Sequence, residues 1–428
     1  MSENAPTLPS TSRWPQRYTV VGMCFFAAFV CYIDRVNISV AAIAMQDEFG
    51  WSDTTKGLIL SSFFVGYLLT QAVAGWLAKR YGAKLILGFA VAWWSVFTIL
   101  TPFAAYASVP VLIAARIALG LGEAATFPAS YGMFGRWVPQ HESARAISLL
   151  MSGIPLGTLF ALIATGWIVT QYGWPAAFYL FGAVGVLWAI AWFFLVYDDP
   201  DKHPRISAEE RALLGANQTV ETAPGHVPWG AFARSPAIWA LCINHIASNT
   251  VLYIFLAWLP SYFRDAHGLS IAGAGLYSAA PWLTMFLMMN VGGWFADTLL
   301  IRGVNKTTVR KILQTSGLLG SGVFVLLVRD VDSAGVAVML MCGALGAASL
   351  TVAGFGTNHL DIAPRYAGVL VGITNTFGTI PGIVGVAVTG WLVNATGSYD
   401  SVFLMVAGVN LVGIVVWLTF SSGRKLFD

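Results

Sequence analysis

The chain has 428 residues, of which 57% are apolar and 10% are Asp, Glu, Lys or Arg, and its mean hydropathy is +0.71. A soluble domain carries about 25% charged residues, so a water-soluble fold of this length could not clothe its surface, and an integral membrane protein is implied. The net charge of +3 is too small to indicate nucleic-acid binding, and its distribution says more than its sum.

Residues 1–17 form a polar tail with Pro6, Pro9 and Pro15. It lacks the short apolar core and small-residue cleavage site of a signal peptide. A spanning helix needs about 20 mostly apolar residues. Twelve runs qualify: 18–44, 56–78, 84–105, 109–135, 144–170, 176–197, 237–263, 271–296, 311–328, 334–356, 366–393 and 400–420. Alternating ten-residue apolar segments are absent, which excludes a β-barrel. The expected fold is therefore all-α and membrane-integral, with six helices over 18–197, a linker over 198–236, six helices over 237–420 and a tail over 421–428. The linker is charged and holds Pro200, Pro204, Pro224, Pro228 and Pro236. Within it Ser207 is placed to cap a short helix, with Glu210 at the third helical position.

With the N-terminus inside, eighteen of the 23 Lys and Arg residues fall on the inner side. Lys56, Arg264 and Arg329 fall outside, and Arg35 and Arg116 lie within spans. Cytoplasmic loops carry such an excess, so both termini are expected in the cytoplasm. The four cysteines, Cys24, Cys31, Cys242 and Cys342, sit in apolar runs and read as small apolar fillers rather than a disulfide framework.

The two halves repeat weakly. Gly75-Trp76-Leu77-Ala78 in span 2 matches Gly293-Trp294-Phe295-Ala296 in span 8, and Thr165-Gly166-Trp167 in span 5 matches Thr389-Gly390-Trp391 in span 11. Such internal symmetry marks secondary transporters, whose site lies between the halves. Gly153-Ile154-Pro155-Leu156-Gly157 and Gly378-Thr379-Ile380-Pro381-Gly382 read either as close helix packing or as bends near that interface.

Four charges lie within spans: Asp34 and Arg35 in span 1, Arg116 and Glu123 in span 4. A charge at that depth costs at least a few kcal/mol and persists only when paired or facing a polar cavity. Arg116 and Glu123 are about two helical turns apart and share a face. Arginine keeps its charge and suits a permanent anion clamp, whereas a carboxylate can gain and lose a proton. An anion seated on the arginines would weaken their hold on Asp34 and Glu123. Buried ion pairing between helices is the structural alternative. Tyr32, Asn37, Tyr67, Gln71, Asn244, His245, Asn249, Tyr253, Asn290, Thr374, Asn375 and Thr376 are further polar residues within spans, each either a helix–helix hydrogen bond or a ligand contact. No Walker-type phosphate loop, metal-site motif or nucleophile elbow occurs, so neither an ATP-driven pump, nor a membrane protease, nor a cofactor or metal is expected.

Three segments carry a family resemblance: Tyr32-Ile33-Asp34-Arg35-Val36-Asn37, Arg116-Ile117-Ala118-Leu119-Gly120-Leu121-Gly122-Glu123-Ala124 and Asn358-His359-Leu360-Asp361-Ile362-Ala363-Pro364-Arg365-Tyr366-Ala367-Gly368. With them the chain resembles the major facilitator superfamily and, within it, the anion:cation symporter family of bacterial sugar-acid, sialic-acid, vesicular glutamate and plant phosphate carriers. The resemblance implies the major facilitator fold, with Arg35 on a substrate carboxylate, Asp34 and Glu123 exchanging protons, and Arg116 as their partner. It adds Tyr67 and Asn375 to Tyr32 as cavity-lining residues. The vesicular glutamate carriers lack an acid matching Asp34, so its presence favours the proton-symport type. One departure concerns gating: the loop Gly75 to Lys84 holds Lys79 and Arg80 where the family has Asp-Arg, while Asp297 keeps the acid in the second half. The expectation is a monomeric, proton-coupled symporter of a small organic anion, multi-pass in the cell membrane, with alternating access and no enzymatic activity. An inorganic phosphate carrier, or an anion facilitator or exchanger, is the alternative. A non-transporting sensor would need a larger soluble module than residues 198–236.

Overall fold

The computed structural model describes residues 14–216 and 227–427. The tail expected over 1–17 lies, up to residue 13, outside the described residues, as does Pro224. Among the described residues eleven helices are long and apolar enough to cross a membrane, and a helix pair bent by 49° between Gln71 and Val73 makes a twelfth span. We number them α1 (Gln16–Phe49), α2 (Asp53–Tyr81), α3 (Ala83–Ala107), α4 (Val109–Trp137), α5 (Ser143–Tyr172), α6 (Trp174–Leu195), α7 (Pro236–His267), α8 (Ile271–Ile301), α9 (Lys306–Asp330), α10 (Ala334–Ile362), α11 (Pro364–Thr396) and α12 (Asp400–Phe420). An even number of spans returns both termini to one face. The structure thus has the twelve-helix, two-half architecture expected, and most helices run beyond their apolar runs to capped ends.

Local signals explain several of those ends. Gly50 closes α1 with φ 66°, its N–H bonded to the Gln46 carbonyl, a left-handed stop that glycine takes without steric cost. Ser52 caps α2 by accepting from the Thr55 N–H. Helix α2 therefore begins at Asp53, and Lys56 is inside it. This corrects the sequence reading, which left Lys56 in the outer loop: its side chain is 1% exposed. Ser207 caps the linker helix Ala208–Ala216 as expected, accepting from the Glu210 N–H at 3.1 Å.

Glycines set how closely the helices cross. A β-carbon on Gly120 of α4 would strike the Phe63 carbonyl of α2, and one on Gly66 would strike the Ile117 carbonyl. The α2–α4 crossing is thus backbone on backbone. In α5, Gly153 lies against Ala28 and the Phe25 carbonyl, and Gly157 against Phe29 and Tyr32 of α1, while the helix runs unbroken through Pro155. Packing accounts for that cluster. The α11 cluster behaves differently, because a π-helical turn, Pro381–Gly385, begins within it.

The halves meet most closely at the face away from the termini. Gly57 of α2 lies against Gly390 of α11, and Gly166 of α5 against Ala272 of α8. Gly166 and Gly390 occupy matching places in the internal repeat, so the repeat encodes the two symmetric seams of the interface. Lys56 sits beside the Gly57 seam. Its ammonium binds Gln46 Oε1 at 2.6 Å and Asp53 Oδ1 at 3.0 Å, and lies 4.7 Å from the ring centre of Trp258 on α7.

On the terminal face, the linker helix is tied to the N-terminal half. Glu210 accepts from the backbone N–H groups of Gln16 and Arg17, and Arg17 also holds Glu142 at 2.9 Å. The C-terminal segment is threaded between elements: the N–H groups of Leu426 and Phe427 bond the Ile362 carbonyl, Gly423 N–H bonds Thr307, and Asn358 bonds the Ser422 carbonyl.

Candidate functional site

Helices α1 and α4 bring all four intramembrane charges into one buried cluster. Asp34 and Glu123 are 0% exposed, Arg116 1% and Arg35 5%. Helix α4 breaks after Glu123, between the segments Val109–Glu123 and Thr126–Trp137, and the Thr126 hydroxyl donates to the freed Glu123 carbonyl. The break fixes where the carboxylate projects.

Arg35 is the direct partner of Glu123. Its Nε and Nη2 both lie 3.0 Å from Glu123 Oε2, and the Cys31 thiol donates to the same oxygen at 3.2 Å. The Arg35 guanidinium is also caged by aromatic rings, with its carbon 4.6 Å from the ring centre of Tyr32 and 4.8 Å from those of Phe63 and Tyr67. Asp34 is held separately: Oδ2 accepts from the Trp94 indole N–H at 3.0 Å. Arg116 stands 5.4 Å from the Phe63 ring centre, and its Nε and Nη1 are buried without a hydrogen-bond partner. Asp34 Oδ1 and Glu123 Oε1 are likewise buried and unpartnered. The cluster is half satisfied. Buried polar atoms rarely remain so without a reason, and these four residues leave donors and acceptors of both kinds.

Both arginines line a small cavity of about 10 Å³, closed from the other half by Leu256 and Ala257 of α7. Behind it, the C-terminal half contributes a cavity of about 230 Å³ lined by His245, Ser248 and Asn249 of α7 and by Thr351 and Phe355 of α10. Its floor is irregular: α10 makes a π-helical turn over Val352–Gly356, pinned by Gln314 of α9. That side chain accepts from the Phe355 N–H and donates to Asn244 and Ser248. Such turns are frequent at functional sites. His245 Nδ1 is buried and unpartnered, and Asn249 donates to the Gly378 carbonyl.

The structure thus brings together Asp34, Arg35, Arg116, Glu123, Tyr32 and Tyr67. Asn375 stands apart on α11, half-buried, and among the described residues no hydrogen bond joins it to the cluster. Lys79 and Arg80 are exposed near the terminal-face end of α2, and Asp297 near that of α8. Sequence reasoning missed Trp94, Phe63 and Gln314, and took Cys31 for filler. One aromatic in an apolar run looks like another, and nothing in the sequence marks which ring faces a charge.

Two six-helix halves, one holding a buried charge cluster and the other a cavity with a few polar groups among apolar ones, define a membrane transporter. The chain belongs to the major facilitator superfamily, whose family model matches residues 24–386. It is 40% identical over 427 residues to the sodium-dependent phosphate transport protein 1, chloroplastic, of Arabidopsis thaliana, covering 100% of this chain and 83% of that one. It is also 40% identical over 421 residues to the chloroplastic ascorbate transporter of Arabidopsis thaliana, covering 98% and 77%. In fold it is similar to a bacterial homologue of the human lysosomal transporter Spinster, solved in an inward-facing and occupied conformation, with a TM-score of 0.78, 18% identity, and 95% and 97% of the two chains covered.

Proposed function

We propose that the chain carries a small organic anion, a carboxylate or sugar acid, together with protons, by alternating access across the cell membrane. The observation that carries this reading is the unsatisfied half of the charge cluster: two buried N–H groups of Arg116 without an acceptor, and one buried oxygen each on Asp34 and Glu123 without a donor. An anion supplies acceptors to Arg116. A proton turns either carboxylate oxygen into a donor. Coupling follows from the shared Arg35. When the anion draws Arg35 toward itself, Glu123 loses its counter-charge, and an unpaired buried carboxylate is costly enough to favour protonation. The anion and the proton then travel together. A monoanion entering with two protons gains about 2.3 kcal/mol per net charge per 100 mV of membrane potential.

The wider cavity supports an organic cargo, because His245, Ser248, Asn249 and Thr351 offer hydrogen bonds without charge. We assign the terminal face to the cytoplasm on the excess of Lys and Arg there. With the opposite seam closed, this state is inward-facing. Closing the cytoplasmic side would then bring the neighbourhoods of Lys79, Arg80 and Asp297 into play. We take the monomer as the working unit. A second reading, inorganic phosphate transport, is favoured by the name of the phosphate-carrying relative and by the two arginines, which suit phosphate equally well.

The test is uptake by purified protein in liposomes under an imposed pH gradient, with labelled gluconate, ascorbate and phosphate. Gradient-driven accumulation of an organic acid that phosphate fails to displace is expected. Uptake indifferent to the gradient for every anion refutes proton coupling, and preferential displacement by phosphate establishes the second reading.

A further inference from the structure

Phe63 stands where the two arginines of the cluster meet. Its ring centre lies 4.8 Å from the Arg35 guanidinium carbon and 5.4 Å from that of Arg116, and the residue is 1% exposed. The backbone that carries the ring is closely held, because its carbonyl lies against Gly120 at the α2–α4 crossing. Two permanent positive charges in a medium of low dielectric repel each other strongly. The negative face of an aromatic ring attracts a cation, and does so more when water is excluded. Arg35 has further compensation from Glu123, Tyr32 and Tyr67. For Arg116, Phe63 is the single ring in reach among the described residues, and Nε and Nη1 have no acceptor. Were that ring removed, the compensation left to Arg116 would come from the carboxylates of Asp34 and Glu123. A pairing there would occupy the donors that an anion needs.

We propose that Phe63 is a positioning residue whose ring, shared by Arg35 and Arg116, keeps Arg116 off the carboxylates and so sets the affinity for the transported anion. This rests on the reading of Arg116 as an anion-binding group.

The experiment replaces Phe63 with phenylalanines carrying one, two and three ring fluorines, which fade the negative face while nearly preserving shape. The probe is whichever of labelled gluconate, ascorbate or phosphate the wild-type protein takes up. KM is expected to rise about two- to threefold with each fluorine while kcat stays within about twofold, as weakening a desolvated cation–π contact requires. Phe63→Leu, which removes the aromatic face, raises KM about tenfold. A flat fluorine series, or wild-type KM in a folded Phe63→Leu protein, overturns the proposal and leaves Phe63 as packing. Should Phe63→Leu fail to fold, the fluorine series decides alone. Arg116→Ala separates the two levels. If it retains the wild-type KM, the underlying reading of Arg116 falls. If it loses uptake while the fluorine series is flat, only the role of Phe63 falls.

Discussion

At the scale of single residues, the site turns on which arginine is engaged. The family resemblance casts Arg35 as the substrate contact and Arg116 as partner of the acids. The structure has Arg35 on Glu123 and leaves Arg116 with unpartnered donors, so in this state the free positive charge belongs to Arg116. Removing Arg35 is expected to abolish anion binding, read as loss of ligand-induced thermal stabilisation in Arg35→Ala. Glu123→Gln is expected to exchange labelled for unlabelled anion but to lose accumulation under a pH gradient; normal accumulation by that variant takes Glu123 out of the coupling step. Trp94→Phe removes the indole N–H that donates to Asp34 Oδ2. Hydrogen bonds to charged groups are worth about 1.5–3 kcal/mol, so a loss of that order in unfolding stability is expected, and a much smaller one in an Asp34→Asn background. Equal losses in both backgrounds would show that the indole acts through packing alone. The four intramembrane charges were legible in the sequence because charge at that depth is expensive. Trp94 was not, since its indole N–H looks the same facing lipid or carboxylate. Lys56 was left outside the helix because a cap at Ser52, four residues upstream of the apolar run, moved the helix start.

At the scale of elements, the number and order of helices followed from apolar length, and the repeat pointed to two halves. The crossings were less visible. Small residues in a span say that something comes close, but not what. Gly120 and Gly135 lie on the same helix and differ in surroundings: a β-carbon at 120 meets the Phe63 backbone, while one at 135 meets open space. Gly120→Ala is therefore expected to destabilise by about 1–3 kcal/mol through overpacking, whereas Gly135→Ala is neutral or stabilising by up to about 1 kcal/mol. Melting of the two variants in detergent checks the contrast. The linker helix carries a pH dependence. The Arg17 side chain holds the Glu142 carboxyl below its ordinary 4.5, and burial between Trp137 and Tyr197 holds His203 below its ordinary 6.5. In both cases the fold favours the deprotonated form. The attachment they give is complete above each ordinary value and is lost as pH falls below it. A nitroxide at Ala212→Cys, on the exposed side of the linker helix, is expected to gain mobility as pH drops below 6.5, and more below 4.5. Unchanged mobility down to pH 4 would exclude a titratable anchor.

At the scale of the whole molecule, the closed face is sealed at two points by close approach of main chain to main chain. Gly57 and Gly390 touch, and Gly166 meets Ala272. Separating such a seam disturbs few rotamers, which suits a pair of halves that must part and rejoin in every cycle. A bulky Gly390→Leu is expected to hold that face open, so that Ile254→Cys, 3% exposed at residue 254 in the closed state, reacts with an impermeant maleimide applied from that side, while net accumulation stops. Persistent protection of the cysteine would place the seal elsewhere. The threaded C-terminal segment has a practical corollary for anyone who handles the protein. Because Leu426 and Phe427 are hooked onto the last carbonyl of α10, a fusion partner or affinity handle joined there pulls on the same helix whose π-helical turn floors the larger cavity. Reporters are better inserted in the segment between the halves.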